Sequence, residues 1–270
     1  MNETNRWRSA MLERRSLLFG VVHLKPLPGS PGYDGKGLAP IIDAAVRDSA
    51  RLVDAGFDGY VLENFGDAPF FKDEVPRHVL TAMTRVALSL PGESLLRGIN
   101  VLRNDVVGAL SVAATVGWDF VRVNVHVGAA VTDQGVVEGR AAETLRYREM
   151  IAPGVAILAD VDVKHARPLG DGFDLEEVAR ETAYRGRADG VIVTGAATGA
   201  PTDMRDLQRV TAAVPDVPVW VGSGATAEQV NDILKYATGV IVGTALKEGG
   251  DVLSPISAER ARAFVTAARS

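Results

Sequence analysis

Eight short runs rich in Val, Ile and Leu alternate with stretches of helical spacing along the whole chain, and no other feature restricts its fold as much. The runs lie at 17–23, 59–63, 95–101, 120–125, 156–163, 190–194, 218–222 and 239–242, with the length and β-branched content of buried strands. Helices are expected behind them at 39–55, 76–89, 104–116, 138–151, 174–186, 203–213, 226–236 and 256–268. Junctions such as Ala55-Gly56-Phe57-Asp58-Gly59, Val116-Gly117-Trp118-Asp119 and Arg187-Ala188-Asp189-Gly190 close a helix on a glycine or small residue and enter the next strand. Eight such units in 270 residues match a (β/α)8 TIM barrel better than an open doubly wound sheet. No linker or low-complexity stretch divides the chain, so one α/β domain is expected over 1–270, with a short N-terminal helical extension over 1–16.

The fourth and fifth runs say most about a site. "FVRVNVHV" at 120–127 and "ILADVDVKH" at 157–165 alternate with period two. Strand side chains repeat their direction every second residue. Arg122, Asn124 and His126 therefore share one face of their strand, Asp160, Asp162 and Lys164 one face of theirs, and the intervening valines take the opposite faces. In a parallel sheet covered on both sides, such polar groups must satisfy each other or a ligand.

Composition removes several classes of function. The chain is 47% hydrophobic and 23% charged, carries a net charge of −5 and has no basic run, which argues against nucleic acid or an anionic membrane as a partner. It has no cysteine, so disulfides, thiolate metal sites and cysteine nucleophiles are excluded. No apolar run reaches the roughly 20 residues that span a bilayer. Arg14 and Arg15 before the apolar Leu17–Val22 faintly resemble a twin-arginine signal, but His23 and Lys25 end the stretch and no small-residue cleavage site follows. It reads as the first strand, and the protein as cytoplasmic. Small molecules or proteins remain as partners, with further copies of the chain in a homo-oligomer, where Trp7 and Met11 of the extension are expected to pack on a neighbour.

The last two strands point to an anion. "VGSGAT" at 221–226 places Gly222, Ser223 and Gly224 where backbone N–H groups and a hydroxyl can approach a phosphate, with Thr226 capping the helix behind. "IVGTALKEGG" at 241–250 repeats the design with Gly243 and Thr244 before a short helical turn. Loops after the seventh and eighth strands are where many barrels hold phosphate; the plainer reading is that these glycines serve tight turns. Lys247 either reaches the anion or faces solvent. Thr194, Gly195 and Thr198 after the sixth strand can line the same pocket, and the Pro/Gly-rich 25–37 is a loop at the same barrel face.

The remaining polar strand ends supply chemistry. His23 and Lys25 share parity on the first strand, Glu63 and Asn64 end the second and Asn100 the third. With Arg122, Asn124, His126, Asp160, Asp162, Lys164 and His165 they form a ring in which acid–base work is expected. Lys164 can act as a base or imine-forming amine beside Arg122, or stay a charged partner of the two aspartates. Asp160, Asp162 and Glu63 offer hard oxygens for Mg²⁺, a weak signal at this spacing, and zinc has less support. A satisfied ion-pair network is the competing account of the whole cluster. Thr132, Asp133 and Gln134 are expected as a lid, Glu138, Arg140 and Arg148 as helix-face charges, and Trp118 and Trp220 as core.

"GVVHLKPLPGSP" (20–31), "RVNVHVGAAVTDQGVVEGRAAETLRYR" (122–148), "ILADVDVKHARPLG" (157–170), "TGAATG" (194–199) and "VGSGAT" (221–226) together resemble the BtpA/SgcQ family over nearly the whole chain. The resemblance implies a barrel of the ribulose-phosphate-binding type. It marks His23, Asn124, Asp133, Gln134, Asp160, Asp162, Lys164 and His165 as motif members without giving them roles, and does not include Lys25. The family takes its name from a factor needed for photosystem I accumulation, and other members are encoded beside sugar-uptake and sugar-phosphate genes. Two functions follow as expectations. One is an enzyme on a phosphorylated sugar or nucleotide-like molecule, catalysing isomerisation, epimerisation, aldol-type cleavage or glycosidic cleavage over Asp160, Asp162 and Lys164. The other is a non-catalytic assembly factor.

Overall fold

A computed structural model describes residues 6–12, 16–162, 166–169, 174–195 and 203–270. Eight parallel strands close into a barrel: β1 (Leu17–His23), β2 (Gly59–Glu63), β3 (Leu96–Asn100), β4 (Phe120–Val123), β7 (Ala156–Asp162), β9 (Gly190–Val193), β10 (Val219–Val221) and β11 (Gly239–Val242). Each lies beside the next in chain order, and β11 pairs with β1 through Leu17↔Gly239 and Gly20↔Val242 to complete the ring. Helices follow at α2 (Ala39–Ala55), α3 (Arg77–Ala87), α4 (Val106–Val116), α5 (Ala141–Ile151), α6 (Leu175–Arg180), α7 (Met204–Ala213), α8 (Val230–Leu234) and α9 (Ala258–Arg269). They form where apolar residues recur three and four apart; in α3, Val79, Ala82, Met83 and Val86 make the buried stripe. Among the described residues, no helix is long and apolar enough to cross a membrane.

Strand parity divides the interior into two halves. Leu18, Val22, Val121, Val123, Ile157 and Ala159 face outward and pack under the helices. Inward residues at the N-terminal end are aromatic or aliphatic: Phe19 stacks on Trp220 (centroids 4.7 Å apart) and on Phe120 (5.1 Å). Gly98 makes room for this, since a Cβ there would lie 2.2 Å from the Phe120 ring. Further along the same inward rows the side chains become His23, Glu63, Asn100, Arg122 and Asp160. The apolar half anchors the barrel and the polar half opens at the C-terminal face.

The N-terminal extension departs from expectation. Helix α1 (Arg6–Leu12) closes the bottom of its own barrel: Trp7 is 5% exposed, stacks on Trp220 at 5.7 Å and lies 5.4 Å from Phe120, with Met11 against the same cluster. The physical reason is the open end of the aromatic half, which a flat indole covers.

A second small sheet was not foreseen. β5 (Ala129–Thr132) and β6 (Gly135–Glu138) form a hairpin with Asp133-Gln134 at its tip, and β8 (Ala166–Pro168) pairs with β5. Glu138 therefore sits on a strand rather than on a helix face. Arg148 is not a free helix charge either, because its Nη1 donates to Asp189 Oδ2 at 2.5 Å and ties α5 to the start of β9. Trp118 and Trp220 are core, as expected.

Candidate functional site

The barrel's C-terminal mouth holds a cavity of about 550 Å³. Its floor is the polar inward layer. Arg122 donates to Asp160 twice, Nη2 to Oδ1 at 3.0 Å and Nε to Oδ2 at 3.2 Å, and Asn124 Nδ2 donates to the same Oδ2 at 2.8 Å. Burial pulls the Arg122 pKa down, but the charges of Asp160 and Glu63 outweigh it and leave the guanidinium above its ordinary value. Asn124 faces the cavity and its buried Oδ1 meets no donor among the described residues. Beside it, Asn100 Nδ2 donates to Glu63 Oε1 at 2.5 Å, and Glu63 Oε2 lies 3.4 Å from His23 Nε2. Glu63 is thus held from one side and faces an imidazole on the other.

Two loops form the far wall. Gly222 N–H continues the sheet by donating to Val193 O, whereas the N–H groups of Gly224, Ala225, Thr244 and Ala245 reach no acceptor among the described residues. A Cβ on Gly222 would lie 2.4 Å from Ile192 and 3.1 Å from Arg122 Nη2, so glycine there lets the guanidinium run beneath the loop. A Cβ on Gly243 would lie 2.7 Å from His23 Cε1. The histidine edge therefore abuts the second loop directly.

The near wall is carried by the loops after β2 and β3, and a polar network fixes them. Asp67 Oδ1 accepts from Leu27 N–H at 2.8 Å, Asn64 Oδ1 from Leu102 N–H at 2.7 Å, and Asn104 makes a reciprocal pair with the Val125 backbone, both bonds at 2.9 Å. Arg103 is buried there and lines the cavity; desolvation lowers its pKa against the opposing charges of Asp160, Asp133 and Glu63.

A family model, the BtpA family, matches residues 14–270. A photosystem I biogenesis protein BtpA of Synechocystis is 45% identical over 251 residues, covering 93% of this chain and 87% of that one. The chain belongs to the BtpA family. An uncharacterised protein of Pyrococcus furiosus is 47% identical over 249 residues, 92% of this chain and 93% of the other. Among solved structures, the phosphoribosyl anthranilate isomerase of Thermotoga maritima superposes with a TM-score of 0.58 at 12% identity, over 94% of this chain and 99% of that one. That of Thermococcus kodakaraensis gives 0.56 at 14% identity, over 95% and 100%. At such identity the likeness is one of fold alone, a closed eight-stranded TIM barrel.

This BtpA-family chain brings together His23, Glu63, Arg122, Asn124 and Asp133 around one cavity, whose lining Gly222, Ser223, Gly224, Gly243 and Thr244 complete. Other expected members lie elsewhere. Asn100 and Asp160 sit below the cavity, engaged by Glu63 and Arg122. Asp162 does not share the Asp160 face: the β7–β9 register shifts between them, Asp160 opposing Ile192 and Asp162 opposing Val193, and Asp162 ends exposed. Its carbonyl accepts from Thr194 Oγ1, and Gly195 is buried alongside. His126 turns away past the strand end and bonds the Gly186 carbonyl through Nε2 at 2.8 Å. Gln134 Nε2 bonds Asp133 at the hairpin tip. Lys164, His165 and Thr198 lie outside the described residues. No three His, Asp or Glu side chains gather to hold a metal among the described residues, because Glu63 and Asp160 are engaged separately.

Lys247 neither reaches the cavity nor faces solvent. It is 1% exposed and its Nζ donates to Asp48 Oδ2 at 2.8 Å on α2. Thr226 does not cap a helix at once, since α8 begins only at Val230. Sequence reasoning missed Phe65, Phe70, Leu102, Arg103 and Arg260, all of which line the cavity. Phe65 opens a short 3-10 turn and Phe70, Leu102 and Arg103 sit in loops; the readable signal was an aromatic and basic content directly after two strand ends.

Proposed function

We propose that this BtpA-family barrel is an enzyme that moves a proton on a phosphorylated, sugar-like small molecule. The carrying observation is that the His23 imidazole stands between Glu63 and Gly243, with Glu63 Oε2 3.4 Å from its Nε2. A proton-transferring group thus abuts the loop whose N–H groups at Thr244 and Ala245, with those of Gly224 and Ala225, suit a phosphate. Bound there, a sugar phosphate would lay its carbons across His23, Arg122 and Asn124. His23 takes a proton from a carbon next to a carbonyl and returns it to the neighbouring position, while Glu63 orients the ring and balances its charge. Arg122 offsets negative charge developing on the carbonyl oxygen, and Asn124 Oδ1 accepts a substrate hydroxyl. Isomerisation or epimerisation fits this arrangement better than glycosidic cleavage by paired aspartates, because Asp160 is bound to Arg122 and Asp162 is directed elsewhere.

The second reading, an assembly factor, is favoured by the printed name of the Synechocystis relative. Against it stands the buried Arg122–Asp160 pair, which a scaffold could replace with hydrocarbon at no loss of stability. Thermal shifts against pentose and hexose phosphates and inorganic phosphate, with and without Mg²⁺, separate the two. A ligand at 100 times its Kd adds about 2.7 kcal/mol, several degrees for a chain of this length. The enzyme reading expects a phosphosugar shift that Gly224→Val removes, and turnover that His23→Gln removes while the shift stays. Folded protein with no shift for any phosphate returns the assembly reading.

A further inference from the structure

Among the described residues the phenylalanines take three settings, of which one, that of Phe71, is open surface outside the cavity. Phe19, Phe57, Phe120 and Phe264 are sealed in the core at 2% exposure or less. Phe65 and Phe70, on the loop after β2, are only half-buried, and both line the mouth cavity. Their rings stand 6.3 Å apart at 64°, and Phe65 meets His23 edge-on at 4.9 Å. The loop beneath them is not loose. Gly66 N–H donates to Leu24 O at 3.0 Å, Arg103 N–H to Phe71 O at 3.0 Å, and Asp67 receives Leu27 N–H at 2.8 Å. An anchored loop that holds two aromatic rings half-exposed toward a cavity retains an uncovered apolar surface, whose natural cover is a flat apolar group. Leu102 and Val252 add apolar lining to the same cavity.

Resting on the phosphate reading above, we infer that the substrate carries an aromatic or heteroaromatic ring, seated on Phe70 beside Phe65, with its phosphate across the cavity on the Gly224 and Thr244 loops. A bare sugar phosphate leaves the aromatic wall uncovered; a ring-bearing sugar phosphate covers it and retains the same anion contacts. Arg103 also lines the cavity, and its guanidinium suits a π-face or an acidic group on the ring. His23, in edge contact with Phe65, lies between the ring and phosphate ends of such a ligand, where the sugar carbons would be.

Calorimetric titration of the full chain with inorganic phosphate, ribose 5-phosphate, adenosine and adenosine 5′-monophosphate tests this. Base–aromatic stacking predicts that the nucleotide binds about tenfold or more tightly than ribose 5-phosphate. Phe70→Ala should remove most of that gain and leave ribose 5-phosphate affinity within about twofold. Phe70→Leu, which keeps apolar volume without the π-face, guards against a folding defect. Equal affinities for nucleotide and ribose 5-phosphate, or a preference indifferent to both variants, overturn the inference while leaving the phosphate reading standing. Adenosine binding that depends on Phe70, without binding of either simple phosphate, sustains the ring site and overturns the phosphate reading. Folded protein that binds none of the four overturns both.

Discussion

Arg122 and Asp160 face each other side-on inside the barrel, two charge-assisted bonds of 3.0 and 3.2 Å joining neighbouring strands below the mouth cavity. The pair explains why a strand pattern that looks catalytic is half structural: Asp160 spends its charge on Arg122, and Arg122 remains as the group that reaches the cavity. Removing one partner strands a buried charge. Asp160→Asn should cost roughly 3–5 kcal/mol by urea denaturation, whereas Asp160→Met combined with Arg122→Met should recover most of that loss. A single variant as stable as the parent would show that the pair does not support the fold.

His126 gives the fold a pH dependence of definite sign. Burial lowers its imidazole pKa more than the bond to Gly186 raises it, so the folded state holds this proton less readily than the unfolded chain does. Its contribution is complete above the ordinary value of 6.5 and is lost as pH falls through that value toward the folded-state one. Each pH unit inside that window should cost up to about 1.4 kcal/mol. Urea midpoints at pH 7.5 and 5.5 should differ more in the parent than in His126→Gln, whose amide keeps a donor for the Gly186 carbonyl. Equal differences in the two proteins would exclude His126 as the source.

The barrel was legible because period-two apolar rows and the helices between them report backbone geometry directly, and all eight strands fall where the Val and Ile runs place them. The same periodicity misled at two points. It put Asp162 on the Asp160 face, but a register shift lies between them, and a bulge leaves no mark on alternation alone. It carried His126 into the ring, although β4 ends at Val123 and the chain has turned by then. The β5–β6 hairpin could have been read from two short β-prone runs around Asp133-Gln134 with Gly135 following, at a φ of 93°. Phe65 and Phe70 could not, because which loop aromatics face a cavity depends on anchoring bonds from residues as distant as Leu27 and Leu102.

Lys247 is the long-range support of the second phosphate-side loop. Its Nζ donates to Asp48 Oδ2, and Asp48 Oδ1 receives the Ile256 N–H at 2.8 Å, so one carboxylate on α2 holds both ends of the segment that follows β11. Lys247→Met should lower stability by roughly 3–5 kcal/mol and weaken inorganic phosphate binding without touching a cavity residue. Calorimetry on protein confirmed as folded by circular dichroism separates the effects. Lost stability with unchanged phosphate affinity would mean that the Thr244 loop keeps its shape unaided.

Trp7 is the most direct check on the architecture, since its sequence suggested packing on a neighbouring copy and the structure seats it in its own barrel. Within one chain it stacks on Trp220 at 5.7 Å and seals the aromatic end of the barrel, opposite the mouth cavity. Trp7→Ala should therefore cost about 3–5 kcal/mol, the usual loss when a large buried ring is deleted. Ligand binding at the mouth should not change, because the Phe19, Phe120 and Trp220 layer lies between the two ends. Were Trp7 instead seated on a second copy, the parent's urea midpoint would rise with protein concentration and the variant's would not. A concentration-independent midpoint in the parent, with the full loss in Trp7→Ala, assigns the indole to its own barrel.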